Sequence, residues 1–482
     1  MAEEIHFDTS LKRNKTQLLL LLPNNTLSNY SQIQLLDKKL PIDAEFTPLN
    51  FWNNSEKQLK YIRLLLIDLH YLPHENITLT LSWRKSISKL KSAANLPINA
   101  MLIQPQNGWL RQALLLEPKN IEYDERWYVE PQKKYASYVT NNKLLKSNGY
   151  PTTRASQWLY DRPRAIYQLY LMSKDKFWLT KANEQSEFYL ENIDEDGQFK
   201  LINKYDPKYV FPMGLLYYYL LTGKVEVKNA LTRLYHYSLA WEAKYTLKRG
   251  FWTERHQATA LLTAVAYWEL TNDPRAKQRI DELINATALM TFNPVNDWPL
   301  RDCPQHSLKS HEGRGDDIPV CSPWMMALLS DALWRYYRLT EDERAAALID
   351  VFGNFVLDHG IFYGKSNKLK GVVMPKYLSS MSDVKQDKKS QWTDSQHIYD
   401  VATLVGRSLY IKKLNNKKHY LLSELFSVFV EYSKKPYYGL KKSRKAVDYL
   451  IVKPPRRFSW TYSTTSDLPW LAEDVLKAHT KY

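Results

Sequence analysis

ELTNDPRA, residues 269–276, is the clearest copy of a short signature that recurs along the C-terminal two-thirds of the chain. The other copies are LMSKDKFW at 171–178, LLTGKVEV at 220–227 and RLTEDERA at 338–345, with a weaker IKKLNNKKHY at 411–420. In the first four, a Ser or Thr closes an apolar run and a polar pair follows, which is the chemistry of a helix stop followed at once by a new N-cap. Working outward, each signature is preceded by a run that is apolar almost all round. These runs are QWLYDRPRAIYQLYL (157–171), YVFPMGLLYYYLL (209–221), RHQATALLTAVAYWEL (255–270), SPWMMALLSDALWRYYRL (322–339) and SQHIYDVATLVGRSLYI (395–411). The segments that follow, such as FWLTKANEQSEFYL (177–190) and AKQRIDELINATALM (276–290), are amphipathic. Buried inner helices paired with half-exposed outer ones are expected. Five such hairpins and a last helix near 470–479 predict an (α/α) toroid of about five to six hairpins. A solenoid of helix pairs is the competing architecture, and the uneven spacing of the copies argues against it.

The first 120 residues read differently. TQLLLLLP, SQIQLLD, DAEFTPLNFW, LKYIRLLLIDLHYL and NITLTLSW are short apolar or alternating runs between Asn, Pro and Ser clusters. That pattern predicts strands, and with so little helical periodicity a β-sandwich. The expected division is therefore a β-sandwich over 1–120, a polar connector over 121–150, and the toroid over 151–482 with a short basic C-terminal region. A chain of 482 residues is in any case long for one ordinary domain.

Composition narrows the function. Lys and Arg outnumber Asp and Glu by 67 to 51, a net charge of +16, so anionic partners are favoured. No zinc finger, RNA-recognition signature or basic arm is present, so nucleic acid ranks below acidic polysaccharide and anionic membrane surfaces. The run Leu18–Leu22 is far too short to span a bilayer, and no membrane insertion is expected. Fifteen Trp and 34 Tyr exceed what packing ordinarily needs; such rings fill helix seams or serve as platforms for sugars. Cys303 and Cys321 flank one loop and either pair across it or remain free thiols. The opening MAEEIHFD lacks signal-peptide architecture. The expectation is either a cytoplasmic protein, or a secreted or periplasmic bacterial one whose export signal has been removed. No nucleotide-binding glycine pattern and no serine-hydrolase elbow occurs.

The longer connections, about 191–208, 241–253, 291–320 and 358–393, all join an outer helix to the next inner one. In a toroid they emerge at the same end and rim one cleft, and long loops are commonly functional. The densest is NDWPLRDCPQHSLKSHEGRGDDIPVCSPW (296–324), carrying Trp298, His306, His311, Glu312, Arg314, Asp316, Asp317 and Trp324. The inner helix before it starts with Trp252, Glu254, Arg255 and His256, and the fourth loop ends with Trp392, Asp394, His397 and Tyr399. Arg154, Arg162 and Arg164 mark the first inner helix. Histidines, arginines and aromatics on one rim suit β-elimination of a uronate-containing polysaccharide. A cation neutralises the carboxylate and stabilises the enolate, a His or Tyr removes the adjacent proton, and a Tyr or His protonates the leaving oxygen.

In that reading His256 and His311 are the base candidates, Tyr399 the acid, and Arg255 and Arg314 the neutralising pair. Trp252, Trp298, Trp324 and Trp392 would stack sugars, with Arg154, Arg162, His306 and His397 as further binding groups. The alternatives are hydrolysis by paired carboxylates, for which Glu254, Glu312, Asp316, Asp317 and Asp394 are candidates, and a non-catalytic glycan-binding envelope or phage protein. No cofactor is expected. His306, His311 and Glu312 could hold a divalent ion, but their spacing does not match a strong zinc signature.

Two stretches carry a family likeness. DAEFTPLNFWNNSEKQLKYIRLLLIDLHYLPHENITLTL (43–81) sets a Trp and a polar turn before a long strand pair, and WTERHQATALLTAVAYWELTNDPRA (252–276) with SPWMMALLSDALWRYYRLTEDERA (322–345) forms the helical core. Together they resemble (α/α)-toroid polysaccharide lyases, and more narrowly the exo-rhamnogalacturonan lyase-like group. The resemblance implies an N-terminal β-sandwich coupled to a toroid, and a lyase activity. No catalytic residue is carried over from it, and the large C-terminal β-domain of that group has no counterpart in this sequence.

Overall fold

The computed structural model describes residues 3–10, 17–53, 60–70, 76–86, 88–90, 98–103, 105, 108–119, 121–140, 158–202, 206–243, 253–294, 300–312, 318–365, 370–380, 387–389, 397–434 and 456–476. The N-terminal strands are β1 (Glu3–Ser10), β2 (Gln17–Leu21), β3 (Ser31–Asp37), β4 (Leu40–Ile42), β5 (Ala44–Phe51), β6 (Ile62–Leu69), β7 (Asn76–Lys85) and β8 (Met101–Leu102). They form two four-stranded sheets, β1-β7-β3-β4 and β5-β6-β2-β8, antiparallel throughout except for the β2–β8 pair. Leu18 and Leu20 of β2, Leu65 and Ile67 of β6, Ile33 and Leu35 of β3, and Leu79 and Leu81 of β7 share one apolar core between the sheets. The leucine run of β2 is apolar at every position because that sheet is covered on both faces. Leu19, Leu21, Leu64 and Leu66, on the alternate register, pack into the helical core instead.

The short helix α1 (Trp109–Ala113) and then α2 (Arg126–Val139) follow. Hairpins come next: α3 (Arg162–Ser173) with α4 (Lys176–Glu191), α5 (Pro212–Thr222) with α6 (Glu226–Ser238), and α7 (Thr253–Thr271) with α8 (Pro274–Phe292). After β9 (His306–Ser307), the short α9 (Leu308–Glu312) and β10 (Pro319–Val320), α10 (Pro323–Thr340) pairs with α11 (Glu343–His359). The hairpin β11 (Ile361–Tyr363)–β12 (Val373–Pro375) precedes α12 (Ile398–Leu414) with α13 (Tyr420–Lys434), and α14 (Arg456–Tyr462) and α15 (Leu468–Leu476) end the described chain.

The recurring signature has a single stereochemistry. Ser173, Thr222, Thr271 and Thr340 each accept, on the side-chain oxygen, the amide two residues on. The intervening residue takes a left-handed conformation at Lys174, Gly223, Asn272 and Glu341 (φ 57°, 73°, 57° and 57°). Asp175, Asp273 and Asp342 then N-cap the outer helix by accepting the amides of Phe177, Arg275 and Arg344 at 2.9 Å. The three Asp-capped hairpins therefore turn in two residues, with the first amides of the outer helix satisfied by a side chain, whereas α5–α6 turns over Gly223–Val225 without a side-chain cap and α12–α13 over 415–419.

The inner helices α3, α5, α7, α10 and α12 pack each on the next. The C-terminal α14 and α15 fill the place between α12 and α3, with α2 outside them against α3, α13 and α14. The ring of helices is thus closed by segments from opposite ends of the chain. The stretch expected to be a plain connector (121–150) holds α2, whose Gln132 amide donates to the Ala165 carbonyl and whose Tyr128 hydroxyl bonds Thr465. Its polar surface hid it: only one stripe faces the ring, and Pro131 interrupts the helical pattern. Most of the surplus aromatics are core, among them the fully buried Tyr167, Tyr170, Tyr189 and Tyr217–Tyr219.

The inner helices run in one direction, so their ends are distinct. At the end where they stop, the N-terminal sheets close the ring. Asn50 and Asn53 donate to the terminal carbonyls of α7 (Glu269, Leu270 and Trp268). Fully buried Arg63 of β6 lies 2.6 Å from Glu269, which also receives Arg335 of α10 at 2.6 Å. The opposite end, where the inner helices start, is left to the long connections.

Close packing of α12 supplies a test. A methyl at Gly406 would lie 2.8 Å from the Phe426 ring of α13 and 3.2 Å from Leu471 of α15. Gly406→Ala should cost about 1–3 kcal/mol by overpacking, read as a lowered urea midpoint with an unchanged m-value.

Candidate active site

The starts of the inner helices line a narrow cleft. Tyr160 and Asp161 contribute from the entry to α3 and Arg164 from its first turn, Val210–Pro212 from the entry to α5, Ala258 and Thr259 from α7, Leu328 and Asp331 from α10, and Ser463 and Thr464 from the turn after α14. It is the hub of the ring, and two carboxylates line it.

Asp161 precedes the Arg162-Pro163 start of α3 in a left-handed conformation (φ 61°). Its Oδ1 accepts the Arg164 amide at 3.1 Å and its Oδ2 the Gly214 amide of α5 at 2.9 Å. Gly214 is required there, because a Cβ would stand 2.5 Å from Asp161 Oδ1. Burial pushes the Asp161 carboxyl up to about 6, against the backbone bond from Gly214 and the Arg164 charge, which favour the ionised form. Asp331 has different company. Arg164 binds it through two bonds of 2.5 and 2.9 Å, and Arg407 of α12 adds a third at 3.2 Å while gripping Asp467 at 2.9 Å. One carboxyl is thus held by backbone amides and the other by guanidiniums, a few side chains apart in the same cavity.

The residues expected from sequence are distributed in three ways. Glu254 and His306 are brought together: His306 Nδ1 lies 2.8 Å from Glu254 Oε2, and Glu254 Oε1 accepts the Ser322 amide at 2.8 Å. Both are buried, and they join the start of α7 to the start of α10 rather than face the cleft. The Cys303–Cys321 disulfide closes the same loop, and Cys321 pairs with Ser379 by two backbone bonds. A bridge across 18 residues stabilises by about 3 kcal/mol. Cys303→Ser/Cys321→Ser, or reductant, should therefore lower the melting temperature, and an unchanged melting curve would count against the brace.

Trp324 and His397 are also brought together. Their rings stack at 5.0 Å, and His397 Nδ1 is 2.9 Å from Asp400 Oδ2.

The remaining described candidates point elsewhere. His256 is half-buried and packs edge-on against Trp241, 6.2 Å away. Arg255 is buried. Arg162 turns outward to the Trp158 ring (4.6 Å) and to Gln185 of the outer helix α4. The Tyr399 hydroxyl donates to the Ser433 carbonyl at 2.8 Å, and burial, then the neighbouring Tyr128, raises it far above an ordinary phenol. It is placed as a packing residue, since alternate turns of α12 face the ring and α13. Trp252, Trp298, Trp392, Arg154, Arg314, Asp316, Asp317 and Asp394 lie outside the described residues, as do the side chains of His311 and Glu312.

Sequence reading passed over Asp161 and Asp331, although a signal existed. Asp331 is a lone acid within the apolar run of α10, as Arg407 is the one Arg or Lys in the run 395–411 of α12, and an inner helix buries a charge only against a partner.

No family model matches the sequence, and no curated protein matches it. Solved structures do share features of the fold. A glycoside hydrolase of family 105 from C. acetobutylicum ATCC 824 is 12% identical, over 72% of this chain and 99% of that one, with a TM-score of 0.43. A cellobiose 2-epimerase from Bacillus thermoamylovorans is 12% identical over 72% and 99%, with a TM-score of 0.46. A family 76 glycoside hydrolase from a bovine Bacteroides thetaiotaomicron strain is 9% identical over 96% and 97%, with a TM-score of 0.44. Likeness at that level says nothing of this chain's chemistry, which rests on its own residues.

Proposed function

We propose that this chain is a carbohydrate-active enzyme that hydrolyses glycosidic bonds in the hub of its helical ring. The observation that carries the reading is the pair Asp161 and Asp331 lining one cleft in unlike environments, since environments that set two carboxyls apart are how acid and base roles are assigned. Asp161, with its affinity for protons raised to about 6, gives its proton to the leaving oxygen as the bond to the anomeric carbon breaks. A water attacks that carbon and loses its proton to Asp331, which releases it to solvent as Asp161 takes one up, so both carboxyls return to their starting forms.

Hydrolysis is preferred to the β-elimination expected from sequence because elimination needs a cation free to neutralise a uronate. The hub guanidiniums described, Arg164 and Arg407, are both committed to carboxylates. The excess of basic residues supports an acidic glycan outside the hub, held by the wider field of the protein. The core shared by the two N-terminal sheets supports the sandwich reading of that unit. The Cys303–Cys321 bridge supports an exported protein, because disulfides persist in oxidising compartments.

The test is a panel of neutral and acidic polysaccharides followed by reducing-end and ultraviolet assays together. New reducing ends with flat absorbance are expected. Rising absorbance, from an unsaturated uronate, would return the assignment to a lyase. Neither signal over a broad panel would leave a glycan-binding protein.

A further inference from the structure

Five rings from five segments meet beside the hub: Tyr160, Trp324, Tyr377, His397 and Trp460. Trp324 contacts Tyr160 (6.3 Å), Tyr377 (6.0 Å, stacked), His397 (5.0 Å, stacked) and Trp460 (5.0 Å), while Trp460 also touches His397 (5.2 Å) and Tyr160 (5.4 Å). Trp324 and His397 form a buried floor, and Tyr160, Tyr377 and Trp460 are half-exposed. Tyr160 belongs to both places, since it also lines the hub cleft. The floor is polar where packing alone needs none. Among the described residues, Trp324 Nε1, His397 Nε2 and Asp400 Oδ1 are buried without a hydrogen-bond partner. Orphaned buried donors and acceptors are costly, and in native proteins they mark a bound water or ligand.

We propose that this aromatic box is a second sugar subsite continuous with the hub, taking one uncharged pyranose ring of the glycan whose neighbouring ring occupies the hub. The proposal rests on the hydrolytic reading of the hub: a bond cleaved there has a ring on each side, and the box is the aromatic wall that adjoins it through Tyr160. A pyranose has an apolar face for the half-exposed rings and hydroxyls for a polar floor, and amphipathic rings with polar edges suit such a partner. The charges of the floor are a carboxylate and the histidine paired with it, which favours an uncharged ring over a uronate.

The experiment measures binding by full-length Asp161→Asn protein to glucose-, mannose- and xylose-based probes of one, two and three rings, by calorimetry and tryptophan fluorescence. Affinity should rise about tenfold or more from one ring to two for the series that binds. Trp460→Ala should abolish that step while leaving one-ring binding within about twofold, and Trp460→Phe, which keeps a flat ring, should restore most of it. The proposal is overturned if Trp460→Ala leaves the step intact, if it weakens one-ring and two-ring probes alike, or if no probe binds. The two readings fail separately. A length step without turnover by the wild-type chain sinks hydrolysis and keeps the subsite, and turnover without a length step does the reverse.

Discussion

Asp161→Asn should lower kcat by about 10²–10⁴-fold, the ordinary contribution of a positioned general acid, with KM little changed. The wild-type chain carries its own control. Because burial raises the Asp161 carboxyl to about 6, the protonated form needed for acid catalysis declines above that pH. The alkaline limb of kcat should therefore fall about tenfold per pH unit beyond about 6, and the variant should lack that limb. The sign for stability is the same. A carboxyl whose folded pKa is raised stabilises the fold most fully below its unfolded pKa, and that contribution is lost as pH rises from about 4 through about 6. Asn keeps one acceptor for the Arg164 amide but presents an amide group where Gly214 donates, so some cap stability, about 0.5–2 kcal/mol, should be lost as well. Thermal denaturation beside the kinetics separates the two effects. A variant that melts somewhat earlier but turns over normally would remove Asp161 from the chemistry and leave it as a clamp between α3 and α5.

Glu269→Ala is the substitution with the largest expected effect on folding. Its carboxylate is fully buried between Arg63 of the N-terminal sheets and Arg335 of α10. Removing one partner of a buried pair costs about 3–5 kcal/mol, because the remaining charge is left uncompensated; here two guanidiniums lose their shared anion. Burial alone would push this carboxyl up, but the Arg335 and Arg63 charges outweigh it and hold it below the usual carboxylate range. Its contribution is therefore present above the unfolded carboxylate pKa and lost as pH falls through the lowered folded value. Urea unfolding at pH 7 and at acid pH should show the wild type losing stability in acid, with the variant losing less. The variant should also let the sheets separate from the ring, seen as protease cleavage between the two units at urea concentrations where the wild type stays intact. An unchanged midpoint would mean that the apolar seam built by Leu19, Leu21, Leu64 and Leu66 holds the units together by itself.

The hub also explains why a rim-based reading of the sequence chose its residues as it did. Polar, histidine-rich loops attract attention as possible chemistry, yet Glu254 and His306 tie two helix starts together next to a disulfide. The acids that reach the cleft come instead from runs that look like pure core. Asp331 is buried at 2% exposure, and what admits it to an apolar helix is the geometry of Arg164 and Arg407, which stand 167 and 76 residues from it in the chain.

Features legible in the residues alone are local and periodic. At 271–273 and 340–342 the Thr–polar–Asp signature sets a two-residue turn with one left-handed residue and a capped outer helix, because its hydrogen bonds are made within a few residues. Apolar periodicity decided which helix of each pair lies inside, and alternation decided which leucines of β2 and β6 face which core. The tertiary structure alone decided what depends on long separations. It recruited α2 from a polar stretch to close the ring with the far end of the chain, and it selected Arg63 to seal one end. It also gathered Tyr160, Trp324, Tyr377, His397 and Trp460 at the other end. A side chain's periodicity fixes the face it presents, but the partner that makes burial of a charge or an aromatic edge tolerable is set by how the ring closes, and no local pattern encodes that.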